Sequence, residues 1–312
     1  MGNFGQFFLK ESYKEIEELG DKLACFKNAI DWGRFRPIIA SVYQDNKETG
    51  GRPHTDEIVI ARALVLQAMY NLSDPELEFQ CHDRLSFRNF IGFPENVPDF
   101  TTIWNARERL KNAGKEAAVW DELQRQLNAK GFTVRRGVIQ DATFIQAEGG
   151  RTAKSEKREE SSHMDKDATF TAKNNQVIFG YKTHAKIDAD HTLIRSYEVT
   201  TASTHDNQID LVRNGDNAAY RDKGYFGRDL SARRVKDMTM DRAVRGRGLD
   251  SKQKQRNWRI AKIRSPGERV YAVIKNTFDG WYTLVKTLER VRVKEMFKCF
   301  AYNLYQLRTL SG

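Results

Sequence analysis

The sequence predicts an α/β protein in which an all-helical amino-terminal region precedes a domain of strands flanked by helices. Three observations carry this. Helical periodicity dominates to about residue 130, strand alternation replaces it from about 131, and helical spacing returns at the carboxyl end. A length of 312 residues suits one large domain or two ordinary ones, and the change of pattern divides it into 1–130 and 131–312.

In the first region, Ile58, Ala61, Leu64, Val65 and Ala68 recur at helical spacing and predict one buried stripe. Thr55-Asp56-Glu57 is a start signal for that helix, following the turn residues Gly50-Gly51-Arg52-Pro53. Ser73-Asp74-Pro75-Glu76 is a second start, with Ser73 as cap and Glu76 placed to close a capping box. Pro98-Asp99 opens a third helix containing Thr101, Thr102, Ile103, Trp104 and Arg107. Short helices joined by tight turns fit either a helix-turn-helix module or a plain packing bundle. In the former case Thr101, Thr102 and Arg107 are candidate DNA contacts.

Beyond residue 131, Gly137-Val138-Ile139-Gln140-Asp141 reads as a short apolar strand ending at Asp141. Arg151 to Lys173 is charged, poor in apolar residues, and expected to be a mobile loop. Phe179, Tyr181, Thr183, Ala185 and Ile187 alternate with Lys182, His184 and Lys186, the pattern of a half-buried strand. Ala189-Asp190-His191 would turn it into a second strand, Leu193 to Val199. Asp206 is expected to cap a short helix, and Ala218 to Arg221 to form another strand. Phe297, Phe300, Leu304 and Leu307 have the spacing of a core helix.

The formal net charge is +10 and the pI near 9.4. A surface of that sign favours nucleic acid as a partner. The charge is concentrated at 241–264, where Arg242, Arg245, Arg247, Lys252, Lys254, Arg256, Arg259, Lys262 and Arg264 face only Asp241 and Asp250. Such a density suits a surface that tracks phosphates, although a solvated basic loop would look the same. No apolar run is long enough for a membrane span, and no secretory signal is expected from Met1-Gly2-Asn3-Phe4-Gly5-Gln6. Cys25, Cys81 and Cys299 lack any Cys-x-x-Cys pairing, so a reducing cytoplasm is expected. The nearest approach to a phosphate loop, Glu148 to Ser155, lacks both glycines that loop requires, which argues against a nucleotide-driven machine.

Three acidic residues stand out within this basic chain: Asp141 after an apolar strand, Asp222 in Tyr220-Arg221-Asp222-Lys223-Gly224-Tyr225, and Glu268 between Arg264 and Lys275. Magnesium takes hard oxygen ligands, and two such ions about 3.5–4 Å apart can support displacement at a phosphodiester. The three carboxylates are therefore candidate catalytic residues and ligands of two Mg2+ ions, for which Mn2+ can substitute. Each also has a structural explanation. Asp141 could end a strand in a turn, and Asp222 could occupy a tight turn with glycine. Ser265-Pro266-Gly267-Glu268 could be a capping box opening a helix that runs to Phe278. In such a helix Glu268 and Lys275 share a face, which Pro266 discourages Arg264 from joining.

At these positions the chain resembles the DDE-type insertion-sequence transposases of the IS4/IS5-like superfamily, the IS5 family in particular. The resemblance rests on Val138-Ile139-Gln140-Asp141, on Asp222-Lys223-Gly224-Tyr225, and on Arg264, Glu268 and Lys275 of a Tyr-x2-Arg-x3-Glu-x6-Lys signature. Ala261 stands where that signature has tyrosine. Phe179-Gly180-Tyr181-Lys182-Thr183-His184, Thr204-His205-Asp206 and Pro98-Asp99-Phe100-Thr101-Thr102 also look similar to the family. The resemblance implies an RNase H-like catalytic domain over 131–312, preceded by helices for DNA binding or dimerisation. It implies metal-dependent cleavage of double-stranded DNA at terminal inverted repeats and transfer of the 3′-OH to target DNA. Arg264 and Lys275 would hold the DNA backbone. Lys182, His184, Lys223, Arg242, Arg245, Arg247, Arg259 and Lys262 are further candidate DNA contacts. A homodimer or larger assembly on the nucleoid of a prokaryotic cytoplasm is expected, with no membrane and no nucleotide partner. A DNA-binding protein without catalysis, or a nuclease without strand transfer, are the alternatives.

Overall fold

A computed structural model of the protein describes residues 4–43, 53–148, 164–173 and 176–311. The chain folds as two compact units, 1–131 with 296–312, and 132–295.

The first unit is helical. It contains α1 (Phe4–Glu18), α2 (Lys22–Asn28), α3 (Arg36–Ala40), α4 (Glu57–Tyr70), α5 (Asp74–Asp83), α6 (Leu85–Ile91), α7 (Phe100–Asn112) and α8 (Glu116–Ala129). The expected start signals operate as caps. Asp56 accepts the N–H groups of Ile58 and Val59, Ser73 that of Glu76, and Asp99 that of Thr102. The expected single stripe on α4 is too narrow. Val59, Ile60, Ala63, Leu66 and Met69 are buried along with Ala61, Leu64, Val65 and Ala68, so this helix is enclosed nearly all round. Trp32, Phe35 and Phe90 form an aromatic centre with Phe300, whose ring lies 5.9 Å from Trp32 and 5.6 Å from Phe35. The closing residues thus pack with these helices, although the pattern change alone would have assigned them to the strand domain.

Among the described residues the second unit holds a seven-stranded mixed sheet: β1 (Val138–Ala147), β2 (Thr169–Lys173), β3 (Gln176–Asp188), β4 (Ile194–Thr201), β5 (Ala218–Arg221), β6 (Lys236–Thr239) and β7 (Tyr282–Thr283). β1 is central. It runs antiparallel to β3 from Val138 to Gln146, and parallel to β5 over Val138–Gln140 and to β7 over Gln146–Ala147. β2 and β4 pair successively with β3, and β6 continues the sheet beyond β5. The helices are α9 (Ser251–Ala272), which passes into a π-turn over Val273–Thr277, and α10 (Leu288–Ser311), whose later part belongs to the first unit.

Four expectations need correction. Asp141 lies inside a ten-residue strand and does not end one. Thr169–Lys173, expected in a loop, pairs with β3, while 151–163 lie outside the described residues. β3 is not half-buried: Lys182, His184 and Lys186 are as enclosed as Tyr181, Ala185 and Ile187, because both faces of the sheet are covered. His205, not Asp206, caps the short turn Asp206–Gln208.

The helix near Glu268 differs most. Asp250 and Gln253 form its capping box, and α9 continues through Pro266. Ser265 to Glu268 is therefore not a helix start. Proline removes one backbone donor from the helix interior at a cost of about 3 kcal/mol. Burial of Ile260, Gly267, Val270 and Tyr271 along one side of α9 offsets it.

Candidate active site

Asp141 and Asp222 are brought together by strand register. β1 and β5 run in the same direction with Gln140 opposite Arg221, so each aspartate is the next residue along neighbouring strands. Adjacent strands lie roughly 5 Å apart. Arg221 fixes the end of β5. It is 1 % exposed and donates to Asp237 Oδ2 at 2.8 Å, Thr239 Oγ1 at 2.8 Å and the Arg228 carbonyl at 3.0 Å. The chain then turns at Lys223–Tyr225, and Asp222 caps that turn by accepting the Gly224 N–H at 2.8 Å. The expected tight turn at Asp222 is thus present, and the carboxylate remains half-buried beside Asp141.

α9 supplies the other wall. A Cβ at Gly267 would stand 3.1 Å from Ile139 Cγ2, tighter than most side-chain contacts, so the glycine lets α9 lie close against β1. Arg264 Nη2 reaches Asp141 Oδ2 at 3.5 Å, and the Tyr271 hydroxyl donates to the Asp141 carbonyl at 2.7 Å. Glu268 lies one turn after Arg264 and nearly one before Tyr271, hence on the same flank of the helix. Its side chain is exposed. Arg264 joins this face because the helix begins at Ser251, contrary to the expectation drawn from Pro266. Lys275 is half-buried in the π-turn that continues α9.

The electrostatics single out Asp141. Burial pushes its carboxyl up to about 6; Arg264 and the Ala142 N–H oppose that shift, while Asp222 and Asp206 reinforce it. Asp206 was expected as a helix cap and in a segment similar to the family. It accepts from Lys182 Nζ at 2.8 Å, and its turn packs against the turn that follows Asp222. Among the described residues, no three His, Cys, Asp or Glu side chains are grouped closely enough to hold a metal ion. In chemistry, though not in arrangement, the three carboxylates are of the kind such an ion takes. Asp141, Asp222 and Glu268 offer hard oxygens, and a buried carboxyl with a raised pKa lacks the positive charge that a divalent ion would supply.

The candidate DNA contacts fall into two groups. Lys223, Arg242, Arg245, Arg247, Arg259 and Lys262 are exposed. The basic segment is in part the amino-terminal half of α9, where Lys262 Nζ also lies 5.8 Å from the centre of the exposed Trp258 ring. Thr101 is exposed and Thr102 half-buried on α7. Three residues are corrections. Lys182 is buried, its ammonium bound to the Thr204 carbonyl and Asp206. His184 is buried against Thr200 Oγ1, and burial holds its imidazole down to about 4. Arg107 is committed to Asp74 at 2.6 and 2.8 Å and to Gln67 at 2.8 Å. None of the three offers its charge to a duplex in this fold.

Sequence reasoning missed Tyr271. The signal was its spacing, seven residues from Arg264 and three from Glu268, which has meaning only on a helix continuous through Pro266.

Two family models match the chain. Residues 11–109 match "Transposase domain (DUF772)", and residues 133–304, more than half of the chain, match "Transposase DDE domain". No solved structure matches it. A DDE domain implies an RNase H-like fold, with which the mixed sheet and its flanking helices agree.

Proposed function

The chain belongs to the DDE transposases of insertion sequences, enzymes that act on DNA and generally use divalent metal ions, and from that premise we propose its chemistry. The protein cleaves double-stranded DNA at the terminal inverted repeats of its element and joins the freed 3′-OH to target DNA. In the first step water attacks phosphorus and the 3′-oxygen leaves. In the second that 3′-OH attacks a target phosphodiester, whose own 3′-oxygen leaves. Both are in-line displacements, so one constellation can serve twice.

Asp141, Asp222 and Glu268 are the carboxylates that would hold two ions, Mg2+ or Mn2+. When bound, such ions supply positive charge at the attacking and leaving oxygens. The chain's own side chains do the rest. Asp141 and Asp222 would present oxygens from adjacent strand positions, and Glu268 from the flank of α9 that bears Arg264 and Tyr271. Arg264 stands beside Asp141, Nη2 3.5 Å from Oδ2, where its guanidinium would donate to a phosphate near the scissile bond. Lys275 serves the same strand from the π-turn. Lys223, Arg242, Arg245, Arg247, Arg259 and Lys262 hold the backbone further away, and Thr101 and Thr102 on α7 belong to the surface that recognises the ends. The protein works as a homodimer or larger assembly on the nucleoid.

The observation that carries this reading is the parallel register of β1 and β5, which sets two carboxylates side by side next to the helix bearing the third. One fact favours the rival, a DNA-binding protein without catalysis: the described side chains form no ready metal cage. Duplex fragments taken from the DNA flanking the coding sequence decide between them. With Mg2+ the protein should nick these fragments and join their 3′ ends to a second duplex, and Asp141→Ala should abolish both while still retarding the fragment on a gel. Retardation without cleavage by the wild type would leave the rival standing.

A further inference from the structure

Resting on that reading of the site, we propose that Tyr271 is a positioning residue that holds Asp141 in the orientation needed to bind a divalent ion. The Asp141 carboxylate has little else to fix it. One oxygen turns back on the N–H of the following residue, Ala142, at 3.0 Å, and the other meets Arg264 at 3.5 Å. Strand pairing is one-sided here, with β3 alongside β1 throughout and the other edge open. β5 accompanies β1 only as far as Gln140, and β7 joins it again only at Gln146. Residues 141–144 are correspondingly half-buried between buried neighbours.

In this stretch the Tyr271 hydroxyl donates to the main-chain carbonyl of Asp141 at 2.7 Å. The ring is buried and belongs to α9, three residues beyond Glu268. The bond therefore sets the first carboxylate at a fixed distance from the helix that carries the third. It acts on the peptide of Asp141 and makes no contact with the carboxylate oxygens. Groups that orient a ligand without touching the ion typically change metal affinity or activity 10–100-fold when removed.

Tyr271→Phe deletes the hydroxyl and keeps the ring. Mn2+ binding to DNA-free protein, followed by electron paramagnetic resonance, should weaken by about 10-fold. The Mg2+ concentration for half-maximal nicking of the flanking-DNA duplex should rise by a similar factor. Affinity for that duplex should change less than about twofold, because no DNA contact is lost. Amide exchange at Asp141–Thr143 in metal-free protein should quicken, a readout independent of cleavage. Circular dichroism and the melting transition verify that the variant folds, and Asp141→Ala should bind Mn2+ far more weakly than wild type. If wild type and Asp141→Ala behave in this way while Tyr271→Phe matches wild type in Mn2+ affinity and Mg2+ requirement, the hydroxyl is a packing tie and the proposal fails alone. If wild type neither binds Mn2+ nor nicks DNA, the active-site reading falls and takes this proposal with it.

Discussion

Arg264 and Asp141 form a weakly solvated ion pair between a helix and the central strand, with Nη2 and Oδ2 3.5 Å apart and side-chain exposures of 11 % and 23 %. In the metal-free protein this guanidinium is the cation that partly compensates the buried carboxylate. A double-mutant cycle with Arg264→Ala, Asp141→Asn and both, in chelator-containing buffer at neutral pH, should give a coupling of about 1–2 kcal/mol. Arg264→Ala alone should destabilise more than the double variant does, because it leaves an uncompensated charge. Additive effects in thermal or urea unfolding would contradict this.

Asp141 itself should weaken the metal-free fold above its folded pKa. Its carboxyl is raised from the unfolded value of 3.8 to about 6, so the folded state favours the protonated form. Its contribution to stability is fully present below about pH 4 and is lost as pH rises through 6. Asp141→Asn removes that loss. The variant should match wild type near pH 4 and exceed it by about 1–2 kcal/mol at pH 7.5 without divalent ions. Urea unfolding at the two pH values measures the difference.

The exposed basic residues should act through counterion release. Replacing Arg245, Arg247 and Arg259 together by alanine should make the slope of log affinity against log salt shallower by about 2–3, with little change in melting temperature. Arg107→Ala should do the reverse. It breaks the bidentate contact with Asp74, costs about 2–4 kcal/mol of stability, and leaves the salt slope of the folded fraction unchanged. Filter binding across a salt series, paired with thermal melts, separates the two patterns.

Thiol chemistry reports on the helical unit. Cys25 is exposed, Cys81 and Cys299 are buried, and burial pushes the Cys81 thiol up to about 12. An aromatic disulfide reagent should titrate one thiol rapidly in the native protein and all three in denaturant. Cys25→Ser should abolish the fast phase.

Local rules were legible where one residue decides one contact. Asp56, Ser73 and Asp99 are caps because a short side-chain oxygen beside a helical run can do little else. Asp141 and Asp222 stood out as candidates because each follows a short run rich in apolar residues, Val138-Ile139-Gln140 and Ala218-Ala219-Tyr220-Arg221. Depth was less legible. The alternation of Lys182, His184 and Lys186 implied a wet face, but Asp206, Thr200 and Asp216 take up those polar groups inside the fold. Arg107 misled for the same reason, its partner Asp74 lying on another helix. Pro266 misled in a different way. A proline within a helical pattern usually marks a boundary, yet here α9 continues, because packing of Gly267 and Tyr271 against β1 outweighs the lost backbone bond.

The unbroken run of α9 from Ser251 to Ala272 makes the angle between its cationic half and Glu268 a matter of residue count. One codon gained or lost between Lys262 and Arg264 would swing these groups past each other by about 100° around the axis, with scarcely any change in composition. Under the function proposed above, small length errors in this stretch of the gene would misphase a copy, which should still grip DNA but no longer aim it at the carboxylates.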